Sequence, residues 1–400
     1  MTSALDTLVG AREHELVAFR RRLHTHPELS YVEHATTEAI VHRLQVAGLA
    51  PKVLGLGTGL VCDVVGNAPG PTVALRADID ALAMPDGTLA EYRSKVEGVA
   101  HACGHDAHTA IVLGAGLALR ALTEVEEVPG TVRLIFEPGE ESVPGGAVAI
   151  VEEGWLEGVS AVLAVHCDPK IDVGEVGLRR GPLTAASDTA TITVRGPGGH
   201  TARPQLTVDL VSIMARIVQQ FPTETARRID SSDDVVIVFG AIHAGQAPNV
   251  IPAEGTLAFS LRCADRDSWM RAEPAAREAL ASLVEATGAE VTMDYRRGTP
   301  PVVNDDAALD LLAIAARDIV GPGGVVETPR SMGADTFAWY GEVVPSAYAR
   351  LGTHAGHGPR LDLHASSFDI DERAIGIGAR LLAEAALEGL RRGVDLGGTG

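Results

Sequence analysis

The sequence predicts an α/β protein: a discontinuous domain with a mostly parallel sheet flanked by helices, plus an inserted α+β ferredoxin-like module. Three observations carry this expectation. Near-continuous apolar runs rich in β-branched residues alternate with helical stretches through the first part of the chain, as buried parallel strands do. Near residue 185 the texture changes to strands of alternating polarity in the order β-α-β-β-α-β, the split βαβ pattern. Beyond RGTPP (297–301) the helix–strand material resumes. The larger domain is therefore expected over 1–184 and 298–400, and the inserted module over 185–297.

The elements follow in order. Residues 12–23 form an amphipathic helical pattern, and Pro27 stops it. A second helix is expected over 34–47, ending at Gly48. VCDVVG (61–66) and TVALRAD (72–78) read as buried strands bounded by Gly and Pro. Asp106 is expected to cap a helix over 107–122 built from Ala, Leu, Ile and Val. A strand over 131–136, a helix over 147–154 and a strand over 161–166, closing on His166, come next. In the module, strands are expected over 188–196, 234–242, 255–263 and 289–295, with helices over 206–220 and 268–287. A last helix covers 372–391, and the GVDLGGTG tail is expected to fray.

Size and composition narrow the function. The 400 residues exceed one ordinary core, and a hydrophobic fraction of 46% fits a globular chain. The formal charge of −20 discourages binding to nucleic acid or an anionic membrane. An anionic substrate then requires a local basic group. The first residues lack an apolar secretory core, and no run of about eighteen apolar residues could span a membrane, so a cytoplasmic location is expected. Four cysteines (62, 103, 167, 263) are too few for a disulfide scaffold, which leaves at least one free to bind metal.

The chemistry concentrates in four segments. HACGHDAH (101–108) places Cys103 and His105 one residue apart in a glycine-containing loop at a helix start, where the helix N-terminus is expected to lower the thiol pKa. FEPGEES (136–142) follows a strand, at the end where α/β proteins bind ligands. Its adjacent Glu140 and Glu141 suit a division of labour in which one holds metal and its neighbour takes a proton from water. His166 closes an apolar strand, and His364 lies before the last helix. Alone, each has a plainer explanation: a structural cysteine, a solvated acidic loop, a satisfied core histidine. Together, Cys103, His105, Glu141, His166 and His364 form a mixed donor set for Zn or Mn. Five donors exceed one tetrahedral ion and imply two.

The runs RRLHTHPELSYVE (21–33), RADIDAL (76–82), HACGHDAHTA (101–110), FEPGEES (136–142), GPGGHTARP (196–204), NVIPAEGTLAFSLR (249–262) and LHASSFDIDE (363–372) resemble the M20 metallopeptidase clan. Within it, the match is to the N-acyl-amino-acid and auxin-conjugate amidohydrolases, hippurate hydrolases included. The resemblance implies that Cys103 bridges two metals, with His105 and His166 on one and Glu141 and His364 on the other. It implies Glu140 as general base and Asp80 as a carboxylate orienting a ligand or the base. It further implies that the inserted module is a lid and dimerisation domain of a homodimer or higher homo-oligomer. There His200 would polarise the scissile carbonyl, within its own subunit or across to the partner. Asn249 and Arg262 would grip the substrate carboxylate. The implied activity is hydrolysis of N-acyl amino acids, with a dipeptidase and a non-catalytic metal-binding homologue as the competing expectations. Ala83 after Asp-Ala-Leu, FEPGEE, Gln205 and GADTF (333–337) depart from the family pattern without removing any of these residues. His24, His26, His354 and His357 are assigned no metal role.

Overall fold

The structure, a computed structural model, describes residues 3–229 and 235–393. The chain divides into two compact units: Met1–Gly181 with Val303–Pro329 and Trp339–Gly400, and Pro182–Val302 with Arg330–Ala338.

The first unit begins with helices α1 (Ala4–Gly10), α2 (Glu13–Thr25) and α3 (His34–Val46). Strands β1 (Lys52–Val53), β2 (Leu60–Val65) and β3 (Ala68–Asp78) lead to α4 (His105–Leu122). Next come β4 (Pro129–Glu137), α5 (Gly146–Glu152), β5 (Val159–Asp172) and β6 (Val176–Leu178). The β-branched, apolar strands are buried on both faces, as a sheet covered by helices requires.

The second unit holds β7 (Ala186–Arg195), α6 (Leu210–Ala226), β8 (Val236–Ala244), β9 (Glu254–Cys263), α7 (Arg266–Val284) and β10 (Glu290–Thr299). Its four strands are antiparallel in the order β8-β9-β7-β10, the ferredoxin-like arrangement. Burial alternates along β7 and β9, so one face packs against helix. Ile213, Met214, Ile217 and Phe221 of α6 supply that packing, and Phe221 meets Phe239 and Phe259. The helix expected from 206 starts at Leu210, because Pro204–Leu206 makes a 3-10 turn and the Asp209 carboxylate accepts the Ser212 N–H as a cap. Asp234, the first residue of the strand expected over 234–242, lies outside the described residues, as does the tail from 394.

The chain then returns through α8 (Asp306–Val320), β11 (Val325–Glu327), β12 (Ser346–His354) and α9 (Arg373–Arg392). The sheet of the first unit runs β1-β2-β4-β3-β5-β12-β6-β11, with β4, β3, β5 and β12 mutually parallel. Helix α4 is buried along nearly its whole length and packs against α2, α9 and the sheet.

Two expectations in this unit need correction. Asp106 does not cap α4: the helix starts at His105, after Gly104 in a left-handed conformation (φ 89°). A Cβ at that glycine would stand 3.0 Å from the Cys167 side chain. Asp106 instead turns inward onto Arg20 and His24 of α2. Strand β5 also continues past His166 to Asp172, because β12 keeps pairing with it. Among the described residues no helix is long and apolar enough to cross a membrane.

Candidate metal centre

Parallel strands that end on one edge of the larger sheet bring the chemical residues together. Asp78 ends β3 in register with Glu137, the last residue of β4, and His166 of β5 pairs with Arg350 of β12. The loop after β4 carries Glu140 and Glu141, and the loop entering α4 carries Cys103. Their donors form two groups, Cys103–His105–His166 and Cys103–Glu141–His364, each with its ligand atoms within 4.8 Å of one another. Cys103 belongs to both. Glu140 joins His105 and Glu141 in a third group, with its Oε2 4.0 Å from His105 Nε2.

Hydrogen bonds decide which atom each residue presents. His105 Nδ1 lies 3.0 Å from the Asp80 carbonyl and 3.2 Å from Asp80 Oδ1, so its Nε2 is the free nitrogen. The other Asp80 oxygen accepts the Ser30 hydroxyl at 2.7 Å and the Glu141 N–H at 3.0 Å. Asp80 thus ties the His105 ring to the Glu141 backbone. His166 Nδ1 donates to the Cys167 carbonyl at 2.8 Å, and its Nε2 stands 3.7 Å from Cys103 Sγ. Glu141 Oε1 is 3.2 Å from His364 Nε2, an ion-pair distance without hydrogen-bond geometry. The His364 N–H donates to the Ala102 carbonyl at 2.8 Å, fastening its loop beside Cys103.

Buried polar atoms ordinarily find partners, yet His105 Nε2 and Glu141 Oε1 are buried without a hydrogen bond. A sulfur, imidazole nitrogens and a carboxylate converging in this way fit divalent transition ions. One further group, Asp78–His105–His108, also comes within range. Hydrogen bonds close it: His108 Nδ1 is 2.6 Å from Asp78 Oδ1, and its Nε2 accepts the Cys167 N–H at 2.8 Å.

Electrostatics follow from burial. Burial alone would lower the His105 pKa, but Asp78 and Cys103 outweigh it and raise the imidazole well above its usual range. Burial pushes His166 well down. Asp78 would be raised by burial, but His105 and Arg76 hold it well below the carboxylate range. The Cys103 thiol is pushed up by burial, against the expectation that the helix start lowers it. Partial charge from a few N–H groups does not replace lost water, whereas a coordinated cation stabilises thiolate outright.

The Glu140–Glu141 loop is held from the N-terminal segment. Gly139 (φ 68°) donates its N–H to Glu33 Oε1 at 2.8 Å, and a Cβ there would stand 2.6 Å from the Tyr31 ring. Among the described residues the non-glycine positions with positive φ are Tyr31 (64°) and His364 (60°). Both adjoin this site, where backbone strain often collects. Sequence reasoning missed Ser30, Glu33, Asp78 and His108. The third histidine of HACGHDAH and the strand-end position of Asp78 were the available signals.

The second unit carries His200, Asn249 and Arg262. Gly199–His200 pairs antiparallel with Val250–Ile251, and just beyond this short ladder the Thr201 N–H donates to the carbonyl of exposed Asn249 at 3.3 Å. His200 Nδ1 accepts the Ala202 N–H at 3.1 Å, and Arg262 of β9 donates to the Met332 carbonyl at 2.9 Å. In the first unit His24 bonds Asp106 and His354 bonds Asp172, while His26 and His357 lie against backbone carbonyls. None of these four joins a metal-binding group among the described residues.

A mostly parallel sheet with clustered thiol, imidazole and carboxylate donors at its strand ends has the arrangement of an α/β metal site. Residues 74–388 match the model of the family described as Peptidase family M20/M25/M40, and the chain belongs to that family. It is 34% identical over 374 residues to the N-acetyl-L-cysteine deacetylase of Bacillus subtilis (strain 168), covering 94% of this chain and 88% of that protein. It is 43% identical over 370 residues to a longer protein of Rhodococcus jostii (strain RHA1) that carries a glutamate–cysteine ligase name. The match covers 92% of this chain but spans only 46% of that relative's length. Among solved structures, a dinuclear metal-binding peptidase of family M20 from Bacillus subtilis superposes with a TM-score of 0.84 at 31% identity, over 96% of this chain and 99% of that one.

Proposed function

We propose that this chain hydrolyses the amide bond of N-acyl amino acids with the help of two divalent ions, Zn or Mn. The observation that carries the reading is the pair of three-donor groups sharing Cys103, with Glu140 beside them. Cys103 would bridge the ions, His105 and His166 would hold one, and Glu141 and His364 the other. Ions of this kind supply Lewis acidity to the carbonyl and make water acidic near neutral pH.

The chain's own residues supply the rest. Glu140 accepts a proton at its carboxylate as water oxygen bonds to the amide carbon. It returns that proton to the amide nitrogen as the C–N bond breaks, releasing an acid and an amino acid. Asp80 keeps the His105 ring turned so that Nε2 stays available. His200 is assigned to the substrate carbonyl, and Asn249 and Arg262 to the carboxylate of the amino-acid half. The inserted unit is assigned as lid and dimerisation module of a homo-oligomer, in a cytoplasmic setting that keeps Cys103 reduced. Four cysteines free of disulfides are compatible with that setting.

The test is a substrate panel on protein purified without chelators. N-acyl amino acids should turn over faster than dipeptides, chelation should abolish turnover, and Zn or Mn should restore it. Preference for dipeptides, or activity surviving exhaustive metal removal, would overturn the proposal.

A further inference from the structure

We infer that Asp78 and His108 are positioning residues: they set the ring of His166 through the peptide groups flanking Cys167. The inference rests on the reading of His166 as a metal ligand.

His108 is buried on α4, one turn after His105. Its Nε2 accepts the Cys167 N–H at 2.8 Å, so that nitrogen must carry a lone pair. The ring proton therefore sits on Nδ1, which donates to Asp78 Oδ1 at 2.6 Å. One tautomer is fixed, and neither nitrogen is left for a metal. On the other side of the same residue, the Cys167 carbonyl accepts the Nδ1–H of His166 at 2.8 Å. That bond puts the proton of His166 on Nδ1 and leaves the Nε2 lone pair on the side of Cys103 Sγ. Asp78, His108, Cys167 and His166 thus form one directed chain of hydrogen bonds that ends at a donor atom.

The chain is anchored at its Asp78 end and steadied at Cys167. Arg76 Nη1 donates to Asp78 Oδ2 at 2.7 Å, and Arg76 Nε donates to Glu137 Oε2 at 2.7 Å. Tyr340 donates to the same Glu137 oxygen at 2.8 Å. At Cys167 the β3–β5 ladder has already stopped, since its last pair is Arg76 with Ala164. The Cys167 N–H accordingly bonds a side chain in place of a strand. A Cβ at Gly104 would stand 3.0 Å from the Cys167 side chain, so that side chain lies close against the Cys103 loop. Partners that orient a ligating histidine typically tune metal affinity by 10–100-fold.

The experiment uses cobalt-substituted protein, reading ion stoichiometry, affinity and the absorption bands of the cobalt–thiolate centre. His108→Gln keeps an acceptor for the Cys167 N–H and loses the donor to Asp78. His108→Asn keeps that donor and loses the acceptor. His108→Asn should weaken one of two cobalt sites by about 10–100-fold and shift its bands, with His108→Gln closer to wild type. His166→Ala should lose that ion entirely. Wild-type affinity and spectrum in His108→Asn, with loss of the ion in His166→Ala, overturns the relay. Equal damage from Asn and Gln overturns the route through the peptide. Retention of both ions by His166→Ala overturns the ligand reading itself. Should the variants not fold, long-range nitrogen–proton NMR on zinc-loaded wild type decides: both His108 and His166 should carry their proton on Nδ1, and an Nε2–H form of His108 refutes the relay.

Discussion

Replacing Arg20 by Met tests how much the buried ion pair between α2 and α4 contributes to stability. The guanidinium is fully buried. Its Nε donates to Asp106 Oδ2 at 2.6 Å, and further nitrogens reach Asp369 at 2.8 Å and Glu372 at 3.4 Å. Asp369 and Glu372 keep 29% and 18% of their side-chain exposure, so water compensates them and each contributes about 1 kcal/mol at most. Asp106 is fully buried and retains only His24 at 2.8 Å. Leaving one partner of a buried pair uncompensated costs about 3–5 kcal/mol, and the retained His24 places this case near 3. At roughly 2–4 °C per kcal/mol, melting should fall by about 6–12 °C at pH 7.

The pH dependence has a definite sign. Burial alone would raise Asp106, but Arg20 and His24 hold it far below the usual carboxylate range. A depressed acid stabilises the fold above its unfolded pKa of about 3.9 and loses that contribution as pH falls through the folded value. The gap between wild type and Arg20→Met should therefore narrow below about pH 4. Thermal melts followed by circular dichroism, on metal-free protein so that ion loss does not intrude, measure both quantities. A shift under 2 °C at pH 7, or a gap unchanged at pH 3, would refute this reasoning.

Two further outcomes follow from the site. Glu140→Gln should lower kcat by about 10²–10⁴ with metal content at the wild-type level, since only the proton acceptor is lost; unchanged turnover by steady-state assay refutes the base assignment. Gly139→Ala should cost about 2–4 kcal/mol, combining left-handed strain with collision on the Tyr31 ring. Gly158→Ala, with a similar φ of 73° and nothing nearby, should cost only the strain of about 1–2 kcal/mol. Equal losses in urea titrations would remove the collision from the account.

Much of the fold and of the candidate site was legible along the chain, for physical reasons. Parallel strands buried on both faces show as apolar runs, and their carboxyl ends locate ligand-bearing loops, so the segments carrying His166 and Glu140–Glu141 stood out. Residues whose partners come from distant segments were hidden. Asp106 looked like a helix cap because nothing nearby advertised Arg20. Glu33 carried no local signal of its role, since the Gly139 N–H it accepts lies far along the chain. His108 went unassigned because its two partners, Asp78 and the Cys167 N–H, come from strands distant along the chain. The thiol pKa was misjudged because burial, which a sequence does not display, outweighs the helix terminus. Strand β5 outran its apolar run because continued pairing with β12 is set by the sheet, not by local composition.

The central claim is a two-ion centre built on Cys103, and metal analysis of three proteins tests it most directly. Wild type purified without chelators should hold two divalent ions per chain. His364→Ala should lose one ion, and Cys103→Ala should lose tight binding of both, because Cys103 belongs to both donor groups. A Cys103→Ala protein that retains two tightly bound ions would contradict the account.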